Sequence, residues 1–257
     1  MRNNMTILVV KFGTEVLTNG DGLDPHRFVQ AARQIIRLQK EGIQTIIVSS
    51  GAIQAGREQM AKLERDSNNL SKKILAGIGS RVLLNRWSEA FTPHTEIVQF
   101  WLTYQNWENK GERESIKSGL LTSLETSLVP VINENDVVSD EEIRQLEQGI
   151  GENDQLARMI VELVNANQVL FLTKIGGVYT QNPATNAHAE LIEYLDPSMA
   201  KKLALDGTSN RGTGGMGVKV KEALSCARNG ARTAIAPLTE DSILRFGRGE
   251  LVGTAIR

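Results

Sequence analysis

The chain has 257 residues, with 29 Lys and Arg against 30 Asp and Glu and a formal net charge of −1. That balance offers no basic field for nucleic acid and no cationic face for a membrane surface, and no apolar run approaches the roughly 18 residues of a spanning helix. One cysteine, Cys226, excludes an internal disulfide or a cysteine zinc site; with no signal-peptide pattern before Lys11 and only His26, His94 and His188 scattered along the chain, a cytoplasmic protein without a histidine metal cluster is expected.

The first fifty residues read as a strand, a helix and a second strand. Ile7 to Val10 is a short apolar run rich in β-branched residues, and it ends in Lys11-Phe12-Gly13-Thr14. Asp24 followed by Pro25 is a helix start, with Asp as N-cap and Pro at the first helical position. Phe28, Ala31, Ala32, Ile35 and Leu38 then recur at helical spacing until Gly42 supplies the stop. Ile43 to Val48 is the next buried strand, closing in Ser49-Ser50-Gly51 ahead of another helical stretch.

The alternation continues. Residues 70–90 are predicted helical, Glu96 to Phe100 extended and 112–127 helical. Leu128 to Ile132 is a strand that Pro130 moves toward a sheet edge or a strand start, and it closes in Asn133-Glu134-Asn135-Asp136. Leu156, Ile160 and Leu163 mark one face of a helix over 154–164, and Val169 to Leu172 is a strand ending in Thr173. Val220, Ala223, Leu224 and Ala227 form a helical stripe stopped by Gly230, before a strand from Thr233 to Ala236. Strands alternating with helices predict an α/β protein with a mainly parallel sheet covered on both faces. No repeat or low-complexity linker divides the chain, so residues 1–257 read as a single domain.

Ligands of open α/β sheets bind beyond the carboxyl ends of the strands, which directs attention to Lys11, Ser49 to Ala52, Asn133 to Asp136 and Thr173 to Gly177. A further segment, Gly212 to Lys219, is glycine-rich and opens a helix at about 217. Amides at a helix N-terminus favour anions, and glycines let a phosphate approach closely; a plain surface loop has the same composition. Glycines 212, 214 and 217 also satisfy a dinucleotide fingerprint, but Asp206 to Arg211 before them is no strand, so the required context is missing. A P-loop and the His-Arg-Asp and Asp-Phe-Gly marks of protein kinases are absent. Gly151-Glu152-Asn153-Asp154 sits at another helix start, where acids serve as caps or, functionally, Glu152 or Asp154 orients other groups or helps hold a metal. Trp87, Trp101 and Trp107 read as core or subunit contact, and Cys226 as buried and inert.

Taken together these segments resemble the amino-acid kinase superfamily and, within it, the glutamate 5-kinase family. Val10 to Thr18, Ser49 to Arg57, Val129 to Asp136, Gly151 to Asp154, Gly177 to Pro183 and Gly212 to Lys219 follow that family's order and spacing over nearly the whole chain, the Val-Pro-Val-Ile-Asn-Glu-Asn-Asp run being the most specific. The resemblance implies a three-layer α/β/α sandwich. It also implies transfer of the γ-phosphoryl of ATP to the side-chain carboxylate of L-glutamate, giving L-glutamyl 5-phosphate for proline synthesis. Mg²⁺ would ride on the ATP phosphates rather than on a protein site, and a homo-oligomer, dimer or tetramer, is implied as well. Residue by residue, the catalytic set would be Lys11, Glu152, Asp154 and Lys219, the two lysines contacting phosphates and Asp154 organising them. Ser50, Gly51, Asp136 and Asn153 would hold glutamate. Lys11, Gly13, Thr173, Lys174, Thr213, Gly214, Gly215, Met216, Gly217 and Lys219 would hold the nucleotide.

The sequence differs from the family pattern in places. Glu152, Lys174 and Asn182 stand where Asp is usual, and Val137 to Ile150 is several residues longer. The chain stops near the kinase boundary, which matches shorter members without the RNA-binding-like C-terminal domain. Two further readings stay open at this stage: a superfamily kinase with another acceptor, and a degenerate nucleotide- or amino-acid-binding regulator.

Overall fold

The computed structural model describes residues 5–19, 22–138, 153–203 and 215–257. In chain order the elements are β1 (Thr6–Phe12), α1 (Thr14–Leu17), α2 (Pro25–Lys40), β2 (Ile43–Ser49), α3 (Ala52–Lys62), α4 (Lys72–Phe91), β3 (Ile97–Leu102), α5 (Tyr104–Glu108), α6 (Lys110–Glu125) and β4 (Val129–Glu134). They continue with α7 (Asn153–Val164), β5 (Gln168–Thr173), β6 (Tyr194–Leu195), α8 (Pro197–Lys202), α9 (Met216–Arg228), β7 (Arg232–Pro237), α10 (Ser242–Gly247) and β8 (Thr254–Ile256).

One eight-stranded sheet runs in the order β3-β4-β2-β1-β5-β7-β8-β6. Its pairs are parallel except β7 with β8. From the central strand β1 the chain first builds outward through β2, then returns to add β5 on the other side. Such a change of direction opens a crevice at the strands' carboxyl ends, and Lys11 stands at that end of β1.

Side-chain alternation sorts the core into two halves. Leu8, Val10 and Phe12 face a layer containing α2 and α4, where Phe28, Ile35, Trp87 and Phe91 pack against them. Ile7 and Val9 face the opposite layer of α6, α7 and α9, meeting residues such as Ile160 and Val220. Each such aliphatic side chain removed from water contributes roughly 1.5–3 kcal/mol. The expected three-layer sandwich is therefore present.

Helix α2 begins as its residues dictate, with the Asp24 carboxylate accepting from the His26 amide at 3.0 Å and Pro25 in the first turn. Two expectations need correction. The helix read over 112–127 is α6, displaced to 110–125, because Asn109 rather than a later residue caps it by accepting from the Gly111 and Glu112 amides. Pro130 lies at a strand start, as one of the two readings had it, but β4 is an interior strand between β3 and β2. The edge belongs to β3, whose Trp101 is exposed.

Among the described residues no helix is long and apolar enough to cross a membrane.

Candidate active site

The period of two along β1 puts Lys11 on the same face as Ile7 and Val9, toward α7 and α9. There it meets Asp154, which leads a buried stripe on α7 continued by Ala157, Val161 and Val164 at helical spacing. Lys219, in the first turn of α9, approaches from the other side. The Lys11 ammonium is 2.9 Å from Asp154 Oδ1, and Lys219 donates to Oδ1 at 2.8 Å and to Oδ2 at 3.1 Å. Phe171 of β5 underlies this group, its ring centre 5.9 Å from the Lys219 ammonium.

Asp154 is 2% exposed, Lys11 6% and Lys219 9%. Burial alone would push the Asp154 carboxyl up; the two ammonium groups outweigh it and hold the group well below the usual carboxylate range. The acid is thus ionised, and its single charge is shared between two cations that it aims at the end of the central strand.

A second group forms one strand away, at the tips of β2 and β4. The Asn153 side-chain amide donates to Ser50 Oγ at 2.8 Å, to Asn133 Oδ1 at 3.2 Å and to the Ser49 carbonyl at 3.4 Å. Its own Oδ1 is buried and has no partner among the described residues. A buried acceptor left unpaired is costly, which makes it a natural receiver for a ligand's N–H. Gly51 follows with φ +114° as the cap of α3, a conformation that favours glycine. Ser50 donates its amide to the Phe12 carbonyl at 2.9 Å, which ties this tip to the end of β1.

The adjacency of Asn153 and Asp154 in α7 joins the two groups: one residue faces the Ser50 tip and the next the lysines. Lys11, Asp154 and Lys219 are brought together, and Ser50 is joined to Asn153. Asp136 lies in the turn after β4, half-buried, and Gly13 caps α1 just beyond Lys11. Thr173 ends β5, Lys174 follows it exposed, and Gly215, Met216 and Gly217 begin α9. Glu152, Thr213 and Gly214 lie outside the described residues, as does most of the long 137–150 stretch.

The residue reading did not single out Asn133 Oδ1 or the Ser49 carbonyl as partners of Asn153. Both sit inside motifs that were singled out, but nothing in a linear sequence says which hydroxyl or amide of such a run turns inward. Cys226 is buried as expected, and its burial pushes the thiol up to about 12. Among the described residues no cluster of three His, Cys, Asp or Glu could hold a metal.

Residues 6–236 match the amino acid kinase family. The chain is 36% identical to the glutamate 5-kinase of Dehalococcoides mccartyi over 252 residues, spanning 96% of this chain and 67% of that protein. It is also 36% identical to the glutamate 5-kinase of Herpetosiphon aurantiacus, over 97% of this chain and 68% of that one. Among solved structures, carbamate kinase from Giardia lamblia bound to AMP-PNP superposes with a TM-score of 0.68 at 15% identity, over 100% of this chain and 99% of that chain. Isopentenyl phosphate kinase gives 0.66 at 19%, over 98% and 100%. Those two likenesses speak for the fold; the sequence matches carry the kinship further. The chain belongs to the amino acid kinase family, where it groups with the glutamate 5-kinases.

Proposed function

We propose that this protein phosphorylates the side-chain carboxylate of L-glutamate with ATP, yielding L-glutamyl 5-phosphate and ADP, the opening step of proline biosynthesis. Residues 1–257 act as one kinase domain in this reading, in the cytoplasm and as a homo-oligomer. The observation that carries it is the Lys11–Asp154–Lys219 arrangement at the carboxyl end of the central strand. It lies beside an Asn153–Ser50 group whose polarity suits an amino acid.

The chemistry asks for little else. A glutamate side chain ionises near pH 4.3, so at neutral pH the nucleophile is ready and no general base is required. The difficulty is electrostatic, because one anion must reach the γ-phosphorus of another. Catalysis then rests on positioning and on neutralising the charge spread over the phosphoryl oxygens. Lys11 and Lys219 supply that charge in this reading, and Asp154 fixes where they point. Ser50, Gly51, Asp136 and Asn153 hold glutamate, with the Asn153 Oδ1 accepting from its ammonium and the Gly51 amide region receiving its α-carboxylate. Gly13, Thr173, Lys174, Gly215, Met216 and Gly217 border the nucleotide. Mg²⁺ fits this scheme as a passenger on the ATP phosphates, where it adds positive charge.

Incubation with Mg-ATP, L-glutamate and hydroxylamine tests the reading, since hydroxylamine captures an acyl phosphate as a coloured hydroxamate. Glutamate-dependent hydroxamate with matching ADP is expected, and none with L-aspartate. Hydroxamate or ADP formed only with another acceptor would move the substrate. Measurable ATP binding with no turnover on any acceptor would make the protein a regulator.

A further inference from the structure

Trp87 has no part in the site as described, yet it is fully buried directly behind it. It sits on α4 among three aromatic rings, with centroids 4.9 Å from Phe12, 4.7 Å from Phe28 and 6.2 Å from Phe91. For filling space in such a cluster a phenylalanine would serve. What only tryptophan adds is an N–H donor, and burying that donor among hydrocarbon is costly unless it is bonded. It is bonded: the indole nitrogen donates to Ser49 Oγ at 3.1 Å.

The Ser49 hydroxyl in turn donates to the Ser50 carbonyl at 3.2 Å. Its direction is set by the incoming indole, because a hydroxyl that accepts from one side has its own proton left to give elsewhere. In a trans peptide the carbonyl and the following N–H point in opposite directions. Holding the Ser50 carbonyl on Ser49 therefore turns the Gly51 N–H away from that hydroxyl. The relay runs from the aromatic core, through Ser49, to the peptide that opens α3.

We propose that Trp87 is a positioning residue for the amino-acid pocket, fixing the Ser49 hydroxyl and through it the Ser50–Gly51 peptide that receives the substrate's α-carboxylate. The claim rests on the glutamate reading above. The nucleotide side has no share in this relay, so the effect of breaking it falls on one substrate. Trp87→Phe keeps an aromatic ring and removes the donor; Ser49→Ala removes both the acceptor and the onward donation.

The experiment measures kcat and both KM values in the hydroxamate assay for the parent enzyme, the two single variants and the double variant, with a melting temperature for each. Each single variant should raise the KM for L-glutamate about tenfold, the scale of one neutral hydrogen bond, with kcat and the KM for Mg-ATP within about twofold. The double variant should be no worse than the worse single, because both substitutions break one relay. Folded single variants with an unchanged glutamate KM, acting on an active parent, would overturn the positioning role alone. A lower kcat with both KM values raised alike, in step with a lower melting temperature, would overturn it too, reducing Trp87 to packing. If Trp87→Phe does not fold, Ser49→Ala decides by the same criteria. A parent that makes no hydroxamate from glutamate defeats the functional reading, and this proposal with it.

Discussion

Asp154 is one carboxylate serving two lysines, and it pairs with both ammonium groups. Replacing it with Asn would leave two ammonium groups in a buried place without their shared counter-charge. We expect Asp154→Asn to cost about 3 kcal/mol of stability, read as a shift of the urea midpoint at constant slope, since breaking a buried ion pair from one side is expensive. The pairing also has a pH signature. Because the folded protein holds this carboxyl below its ordinary value of 3.8, the unfolded chain takes up the proton first on acidification. The stabilisation is complete above about pH 5 and drains away as the pH falls toward the lowered folded value. The parent's melting temperature should therefore fall more steeply between pH 5 and 3 than that of Asp154→Asn; parallel curves would contradict the assignment. In the proposed reaction Lys219→Met removes a positive charge that neutralises the transferred phosphoryl group, so kcat should drop about 100-fold with little change in glutamate KM. An unchanged kcat with a raised KM would refute that role. Lys11 and Asp154 were legible singly, one as a lysine closing an apolar strand and the other as an acid opening a helix. Their grouping with Lys219, 65 positions from Asp154, was implied by the family resemblance, and the contacts themselves follow from the topology.

At the scale of elements, α3 and α4 are the scaffold of the proposed amino-acid pocket. A Cβ at Gly79 of α4 would overlap the Ala52 carbonyl oxygen in the first turn of α3, so the helices touch backbone to backbone just behind Gly51. Gly79→Ala should force them apart, lowering the melting temperature and raising glutamate KM together, with a stability loss of about 1–3 kcal/mol. An alanine variant as stable as the parent would show that the crossing has slack. Long periodic elements such as α2 and the buried central strands were readable because burial repeats along them. The three-residue β8 and four-residue α1 were not, being too short to establish a period. The interior placement of β4 was hidden for a different reason. Its proline sits where the strand begins, and neighbours are chosen by the chain's crossovers, not by the residue's own preference.

The whole molecule explains why the chemistry collects where it does. A sheet that grows first to one side of β1 and then to the other leaves its crevice at the middle strand, with α7 spanning the two halves. Asn153 faces the β2 tip and Asp154 the lysines, so in the proposed reaction one turn of helix links the acceptor's place to the phosphates' place. The fold and the order of its motifs could be read from the chain because each motif closes a strand or opens a helix. Which way the side chains of the neighbours Asn153 and Asp154 turn could not be read from the chain. In the proposed reaction a carboxylate oxygen of glutamate attacks phosphorus. Glutamate carrying ¹⁸O in its side-chain carboxylate tests it directly. Attack makes that oxygen the bridge of the acyl phosphate, and hydroxylamine, adding at the acyl carbon, expels phosphate with the bridging oxygen attached. Phosphorus NMR or mass spectrometry of the released phosphate should then show one ¹⁸O per molecule. Phosphate bearing no label, with ADP still formed, would mean that water and not glutamate is the nucleophile.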